Sequence, residues 1–257
     1  MSKMRFGDKA KKETTEPETG DTTASDSQVA TRPETDGTVA RPLPKTGFTG
    51  AWDRKDVRLP RINLIHKTSK LEAISEFGIG AFSFGLEGNK VKLGDGVAPI
   101  TITIIRAGKD YQQKLAFENP DQPAVFPTPE AVEQAGGTLD YSKAAVAEKI
   151  YFGPRAHLQV VVACPEGVDD SLFPYEFEGV NFGMGMLTVF SSAYTSVAKE
   201  LATLCDNNKV MQKGMEYGSL QLTSKLMPHP KNPWHVPTIK YQGENPSNLV
   251  AFFVSLL

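Results

Sequence analysis

The stretch from residue 180 to 241 narrows the folds open to this chain more than any other. Over 193–205, Tyr194, Val197, Ala198, Leu201 and Leu204 recur at helical spacing and form one apolar stripe. Ser191 or Ser192 is expected to cap the first free N–H groups. Asp206, Asn207 and Asn208 end the run, because short polar side chains compete for backbone hydrogen bonds. The segments around the helix read as strands: a glycine-punctuated run over 182–190 and two more over 219–226 and 235–241. A helix with a single apolar stripe has to lie on something, and these strands are its expected floor.

The rest of the chain adds mainly strands. Residues 59–67 (LPRINLIHK) alternate, with Ile62 and Leu64 on one face, and Pro60 marks a strand start or a sheet edge. Runs at 82–86 and 90–93 follow, separated by Gly88-Asn89. In 99–105 (PITITII), Ile100, Ile102 and Ile104 face one way and Thr101 and Thr103 the other, and the strand is expected to continue through Tyr111 towards Leu115. Thr128, Pro129 and Gly136 or Gly137 bracket a short helix. Residues 157–164 (HLQVVVAC) form a second strong strand, and 174–177 an edge strand. The last ten residues, NLVAFFVSLL, are apolar enough to require burial as a strand or a short helix. No regular helices separate the strong strands. The expected class is therefore β-rich α+β: a twisted, partly closed, largely antiparallel sheet with one main packed helix.

Residues 1–50 are rich in Thr, Glu, Asp, Lys, Pro, Gly and Ser and nearly empty of large apolar side chains. They are expected to be a disordered tail or tether, since so little apolar surface does not offset the entropy of ordering. Arg41 to Thr46 (RPLPKT) is expected to be extended. Residues 51–257 are then a single β-rich domain. Net charge is −2, but it is unevenly spread: 51–115 carry eleven basic and seven acidic residues, whereas 116–180 carry three and eleven. Neither an apolar leader nor a run near the ~20 residues of a membrane span is visible, so a cytoplasmic protein without a membrane partner is expected. The two cysteines, Cys164 and Cys205, sit in apolar runs and read as buried reduced thiols.

Sequence features that would carry chemistry are few. Gly183-Met184-Gly185 lacks the further glycine and the Lys-Ser/Thr pair of a phosphate loop, so close backbone packing explains these glycines better. His229 and His235 share a Pro-rich loop but have no second local ligand pair for zinc. Glu176 and Glu178 share a strand face that could hold Mg²⁺, although a solvated edge strand explains them better. No nucleophile elbow or HExxH pattern is present. The expectation is accordingly a protein that is not an enzyme and needs no metal or cofactor. Aromatic residues beside basic ones recur: Trp52 near Arg54, Lys55 and Arg58; Tyr111 near Arg106, Lys109 and Lys114; Tyr151 and Phe152 near Lys149 and Arg155; Trp234 and Tyr241 near Lys231 and Lys240. Flat rings for bases and cations for phosphates are what a single-strand binder needs.

The blocks RLPRINLIHKTS (58–69), PITITIIRAGKDYQ (99–112), LTVFSSAYTSVAKELATL (187–204), GSLQLTSK (218–225) and WHVPTIK (234–240) resemble a phage-encoded family found among replication and recombination genes. Some of its members are described as single-stranded DNA-binding proteins. The resemblance implies an OB-like barrel and binding of single-stranded DNA, with replication or recombination proteins and further copies of the chain as partners. Arg61, Lys67, Arg106, Lys109, Tyr111, Trp234 and Lys240 are the expected binding residues. The ending VAFFVSLL is unlike the acidic tail of bacterial strand-binding proteins. The alternative is a phage structural or host-interaction protein, a virion component or a defence inhibitor, that assembles through this apolar C-terminus.

Overall fold

A computed structural model describes residues 58–115, 122–147, 149–229 and 233–257. The expected N-terminal tail, the RPLPKT run, Trp52 with Arg54 and Lys55, and Lys231 lie outside the described residues.

The strands are β1 (Arg61–Leu64), β2 (Phe82–Leu86), β3 (Asn89–Gly94), β4 (Ile100–Gln113), β5 (Val125–Phe126), β6 (Phe152–Ala163), β7 (Tyr175–Phe177), β8 (Val180–Phe190), β9 (Gly218–Met227) and β10 (Trp234–Glu244). They form one curled half-barrel sheet whose main path has eight strands in the order β10-β9-β4-β6-β8-β1-β2-β3, with β5 paired to β4 and β7 to β8. Pairing is antiparallel except between β1 and β8, where Arg61 and Ile62 run alongside Met186 and Leu187. Pro60 stands at the start of β1, as expected, and its carbonyl accepts the Met186 N–H at 2.8 Å.

The inner face of the curl holds the main core. Ile100, Ile102 and Ile104 point into it with Leu158, Val160, Val162, Leu187, Leu220 and Leu222, as strand alternation requires. The predicted helix lies in this concavity. It begins with α4 (Ser191–Ala193), passes through a π-helical stretch (Tyr194–Lys199) and ends with α5 (Glu200–Asn207). Val197 and Leu201 are buried in the core, and Tyr194, Ala198 and Leu204 pack against it. The Ser196 hydroxyl donates to the Pro237 carbonyl at 2.7 Å and ties the π-helical stretch to β10. β10 is an end strand of the path, so the missing N–H of Pro237 breaks no ladder.

One expectation about this helix needs correction. Neither Ser191 nor Ser192 caps the helix: Phe190 occupies the cap position with no side-chain bond, and Ser191 takes a left-handed φ of 53°. Gly183 and Gly185 serve packing, as the sequence indicated. The Phe84 ring lies so close over them that a Cβ at either position would fall 2.8 or 2.5 Å from a ring carbon.

The outer face is also covered. Ile105 faces outward and joins Val161 and Met184 under α6 (Ser247–Ser255), and a register shift between Ile104 and Arg106 sets Arg106 on the same outer side. The apolar C-terminus is therefore a helix of this domain's second core: Phe253 and Leu256 are buried against the sheet, and Phe252 stacks on Phe177 at 4.8 Å. Beside it, buried Thr103 accepts the Asn245 side-chain N–H at 2.9 Å, so the outward threonines are not uniformly solvated. Three short helices lie at the periphery: α1 (Leu71–Phe77), α2 (Pro129–Gln134) and α3 (Tyr141–Ala147). Thr128 caps α2 through the Ala131 N–H, as its sequence pattern predicts. Among the described residues no helix is long and apolar enough to cross a membrane.

Candidate functional site

Antiparallel pairing brings three strand ends together at one rim of the half-barrel. β4 ends at Gln113, β6 starts at Phe152, and β8 ends at Phe190, where the buried helix begins. A groove of about 800 Å³ opens at this rim. Gln112, Gln113 and Lys114 come from the end of β4, and Tyr151 from the approach to β6. Tyr141 comes from α3, Phe190 from β8, and Tyr194 and Lys199 from the helix. The Lys114 N–H donates to the Tyr151 carbonyl at 3.0 Å and fixes these two positions side by side.

The groove is aromatic and basic. Tyr141 meets Tyr151 edge-on at 5.3 Å, and the Lys114 ammonium sits 5.4 Å from the Tyr141 ring centre. Beyond Tyr194, the Lys109 ammonium lies 5.0 Å from the Tyr111 ring and 5.8 Å from the Tyr194 ring. The Tyr111 hydroxyl beside it, reinforced by Tyr194 and opposed by burial, raises the Lys109 ammonium above its ordinary value. Phe190 and Tyr141 are 58% and 66% exposed. Among the described residues Lys114 and Lys199 line the groove and no carboxylate does, although 116–180 is the acidic part of the chain. An open, aromatic, cationic trough of this size stacks planar rings and attracts anions.

A second cavity of about 430 Å³ adjoins the first, and Phe190, Ser191 and Ser192 line both. Its walls include His66, Thr188, Trp234 and His235. Trp234 donates its indole N–H to the Ser192 hydroxyl at 3.2 Å and faces the His229 ring at 5.7 Å. The His235 Nδ1 lies 2.8 Å from the Ser224 hydroxyl. Burial first, and then the charge of His235, lower the His66 pKa from its usual value. Strained non-glycine backbone such as that of Ser191 clusters at functional sites.

The expected binding residues do not converge on one place. Lys109 and Trp234 flank the rim groove and its neighbour. Tyr111 is at the rim but is 8% exposed. It packs with Val132 and Phe152, so its ring is not free to stack on a base, contrary to the expectation. Arg61 and Arg106 lie in one cross-strand row of the outer face, Arg106 opposite Gln159, Gln159 opposite Met186 and Met186 opposite Arg61. Lys67 is exposed in the β1–α1 loop, and Lys240 is exposed on end strand β10.

Next to the arginine row, Asp110 accepts two hydrogen bonds from Arg155, at 2.8 and 2.7 Å, and lies 2.9 Å from His157 Nε2. Burial pushes the Asp110 carboxyl up, but the Arg155 and His157 bonds and charges outweigh it and hold the carboxyl below the usual range. The Arg155 charge is thereby committed to a carboxylate. Glu176 and Glu178 do not share a strand face. β7 ends at Phe177, and Glu178 and Gly179 form the hairpin turn with φ of 50° and 80°. Glu178 instead accepts the Asn248 side-chain N–H at 2.8 Å. Among the described residues no group of three or more His, Cys, Asp or Glu side chains is placed to hold a metal. Cys164 and Cys205 are half-buried free thiols, both raised in pKa by burial.

Of the groove residues, Lys114 and Tyr151 carry a local signal, each in an aromatic-basic pairing. Phe190, Tyr194 and Lys199 read only as the end of a strand and the face of a helix, and nothing near Tyr141 marks it. Compared with protein-family models, curated proteins and solved structures, the chain matches none.

Proposed function

We propose that the protein binds single-stranded DNA, without catalysing a reaction, along the rim groove. The observation that carries this reading is the groove's lining: Tyr141, Tyr151, Phe190 and Tyr194 with Lys114 and Lys199, and no carboxylate among the described residues. Bases stack on the rings at ~1–3 kcal/mol each while the lysines track phosphates, which is sequence-tolerant single-strand recognition. A duplex hides its base faces and has no access to such rings. The mode is OB-like in that a curled sheet presents aromatic residues at its rim. The role in phage replication or recombination, in the host cytoplasm, is the part of the proposal that rests on the resemblance.

The test is fluorescence anisotropy with a labelled ~30-nucleotide single strand against a duplex of equal length across a salt series. Strand-selective binding is expected. The slope of log affinity against log salt is expected at about −0.7 per phosphate neutralised. Tyr141→Ala with Tyr151→Ala should weaken binding at least about thirtyfold, the lower end of two lost stacking contacts. Equal affinity for duplex, or full affinity in the double variant, overturns the reading.

A further inference from the structure

Resting on the single-strand reading, we infer that the bound strand crosses from the wide groove over Phe190, Ser191 and Ser192 into the narrow cavity, where its leading base stacks on Trp234. The first argument is continuity. The two cavities have these three residues in common, so the lip of one is the lip of the other. The second is the crest itself. The end of β8 holds up a largely exposed phenylalanine ring, and the next residue is held in left-handed backbone. Large exposed rings and strained backbone both mark places where a ligand is met.

The third argument is a division of charge. The wide groove carries Lys114 and Lys199, with Lys109 behind Tyr194. Among the described residues the lining of the narrow cavity includes no Lys, Arg, Asp or Glu, and its titratable side chains are His66 and His235. Its walls are Ile62, Leu64, Leu187 and Pro237, edged by the hydrogen-bonding side chains of Asn63 and Thr188. Such a lining suits an uncharged, flat, polar-edged group, which describes a nucleobase and not a phosphate. The fourth is the orientation of Trp234. Its indole N–H is satisfied by Ser192, so the ring is fixed beside the crest while 38% of the residue stays open to solvent. The wide groove thus holds the backbone, and the narrow cavity takes one base from the end of the occupied segment.

The experiment uses the full chain with Trp52→Phe, which leaves Trp234 as its single tryptophan. Oligothymidylates of two, four, six and eight nucleotides are titrated, with occupancy followed by competition anisotropy and Trp234 followed by its emission. Lengths of about four or more, the lower limit for comparable folds, are expected to quench the emission, and the dimer to bind weakly without quenching. Trp234→Ala is expected to weaken the eight-mer about tenfold and leave the dimer unchanged. If the eight-mer saturates the protein and Trp234 emission does not move, the route is wrong and the single-strand reading stands. Equal weakening of both lengths by Trp234→Ala also overturns it, because that is what a general loss of structure produces. If no length binds at low salt, both proposals fall.

Discussion

Gly185→Ala tests how the inner face of β8 is built. An alanine Cβ at this position would sit 2.5 Å from the Phe84 ring and 2.9 Å from the Pro60 carbonyl oxygen. Neither neighbour yields easily. Phe84 is fully buried and tilted against Phe173 at 5.2 Å. The Pro60 carbonyl is held at 2.8 Å by the Met186 N–H, next to the short parallel pairing of β1 with β8. Overpacking at such a site costs about 3 kcal/mol, at the upper end of its usual range. Alanine also restricts the unfolded chain, which recovers about 0.5–1 kcal/mol. The net loss is about 2 kcal/mol, or roughly 4–8 °C in Tm for a domain of this size. Thermal melts by circular dichroism and urea titration measure it directly. Strand binding well below the melt should be unchanged, since Gly185 lines neither cavity of the rim. Phe84→Leu in the same chain should recover part of the loss, as expected for coupled neighbours. A Tm within 2 °C of the parent would refute the packing argument, and a selective loss of strand binding would return these glycines to a phosphate-binding role.

Other perturbations address other parts of the fold. Leu201→Ala removes a buried contact of the helix with the concave core and should cost about 3 kcal/mol, read from urea midpoints. Deletion of 247–257 exposes Ile105, Val161 and Met184 and should abolish cooperative melting; a deleted chain that stays folded and merely changes its oligomeric state in sedimentation would favour assembly through α6. Because the Asp110 carboxyl is depressed in the folded state, its ion pair stabilises the protein above the ordinary carboxylate range, and this contribution is lost as pH falls through the folded value. Asp110→Asn should therefore cost about 1–2 kcal/mol at neutral pH and flatten the acid limb of stability against pH, and an unchanged acid limb would exclude this pair as its source.

The strands and the main helix were legible because each announces itself within one window. Strand-like runs gave β2, β4 and β8 nearly to their ends and the second half of β6, and a period near 3.6 gave the stripe that enters the core. The C-terminal run fixed only that burial was needed, since an all-apolar segment has no period to distinguish strand from helix. The failures come from contacts made at a distance. Tyr111 lies on β4, yet β5, α2 and the start of β6 return from later in the chain and cover it with Phe126, Val132 and Phe152. Ile105 should face the same way as Thr103 by simple alternation and does face outward, but the register shift after it then sets Arg106 on that same outer side. Ser191 has good capping chemistry, but the sharp turn from β8 into the helix places its backbone where a capping geometry is not available.

The same distinction explains why the aromatic and basic neighbours read from the sequence coincide only in part with those that line the groove. Local pairing does occur: Lys109 lies over Tyr111, two positions along the same strand face. The pairs that line the groove are made between elements, Lys114 with Tyr141 and Tyr141 with Tyr151, and depend on α3 folding back to the ends of β4 and β6. Segment charge misleads for a related reason. The acidic stretch 116–180 supplies one wall of the groove, but it does so with Pro123, Tyr141, Tyr151, Gly153 and Pro154, while Asp110 draws off the charge of Arg155 on the outer face. Binding potential at this rim is therefore set by which side chains the strand ends present. Arg61 and Arg106, part of the basic excess of 51–115, stand on another surface. Charge reversal at Lys114 and Lys199 should then lower strand affinity far more than the same change at Arg61 and Arg106, although each pair alters net charge equally.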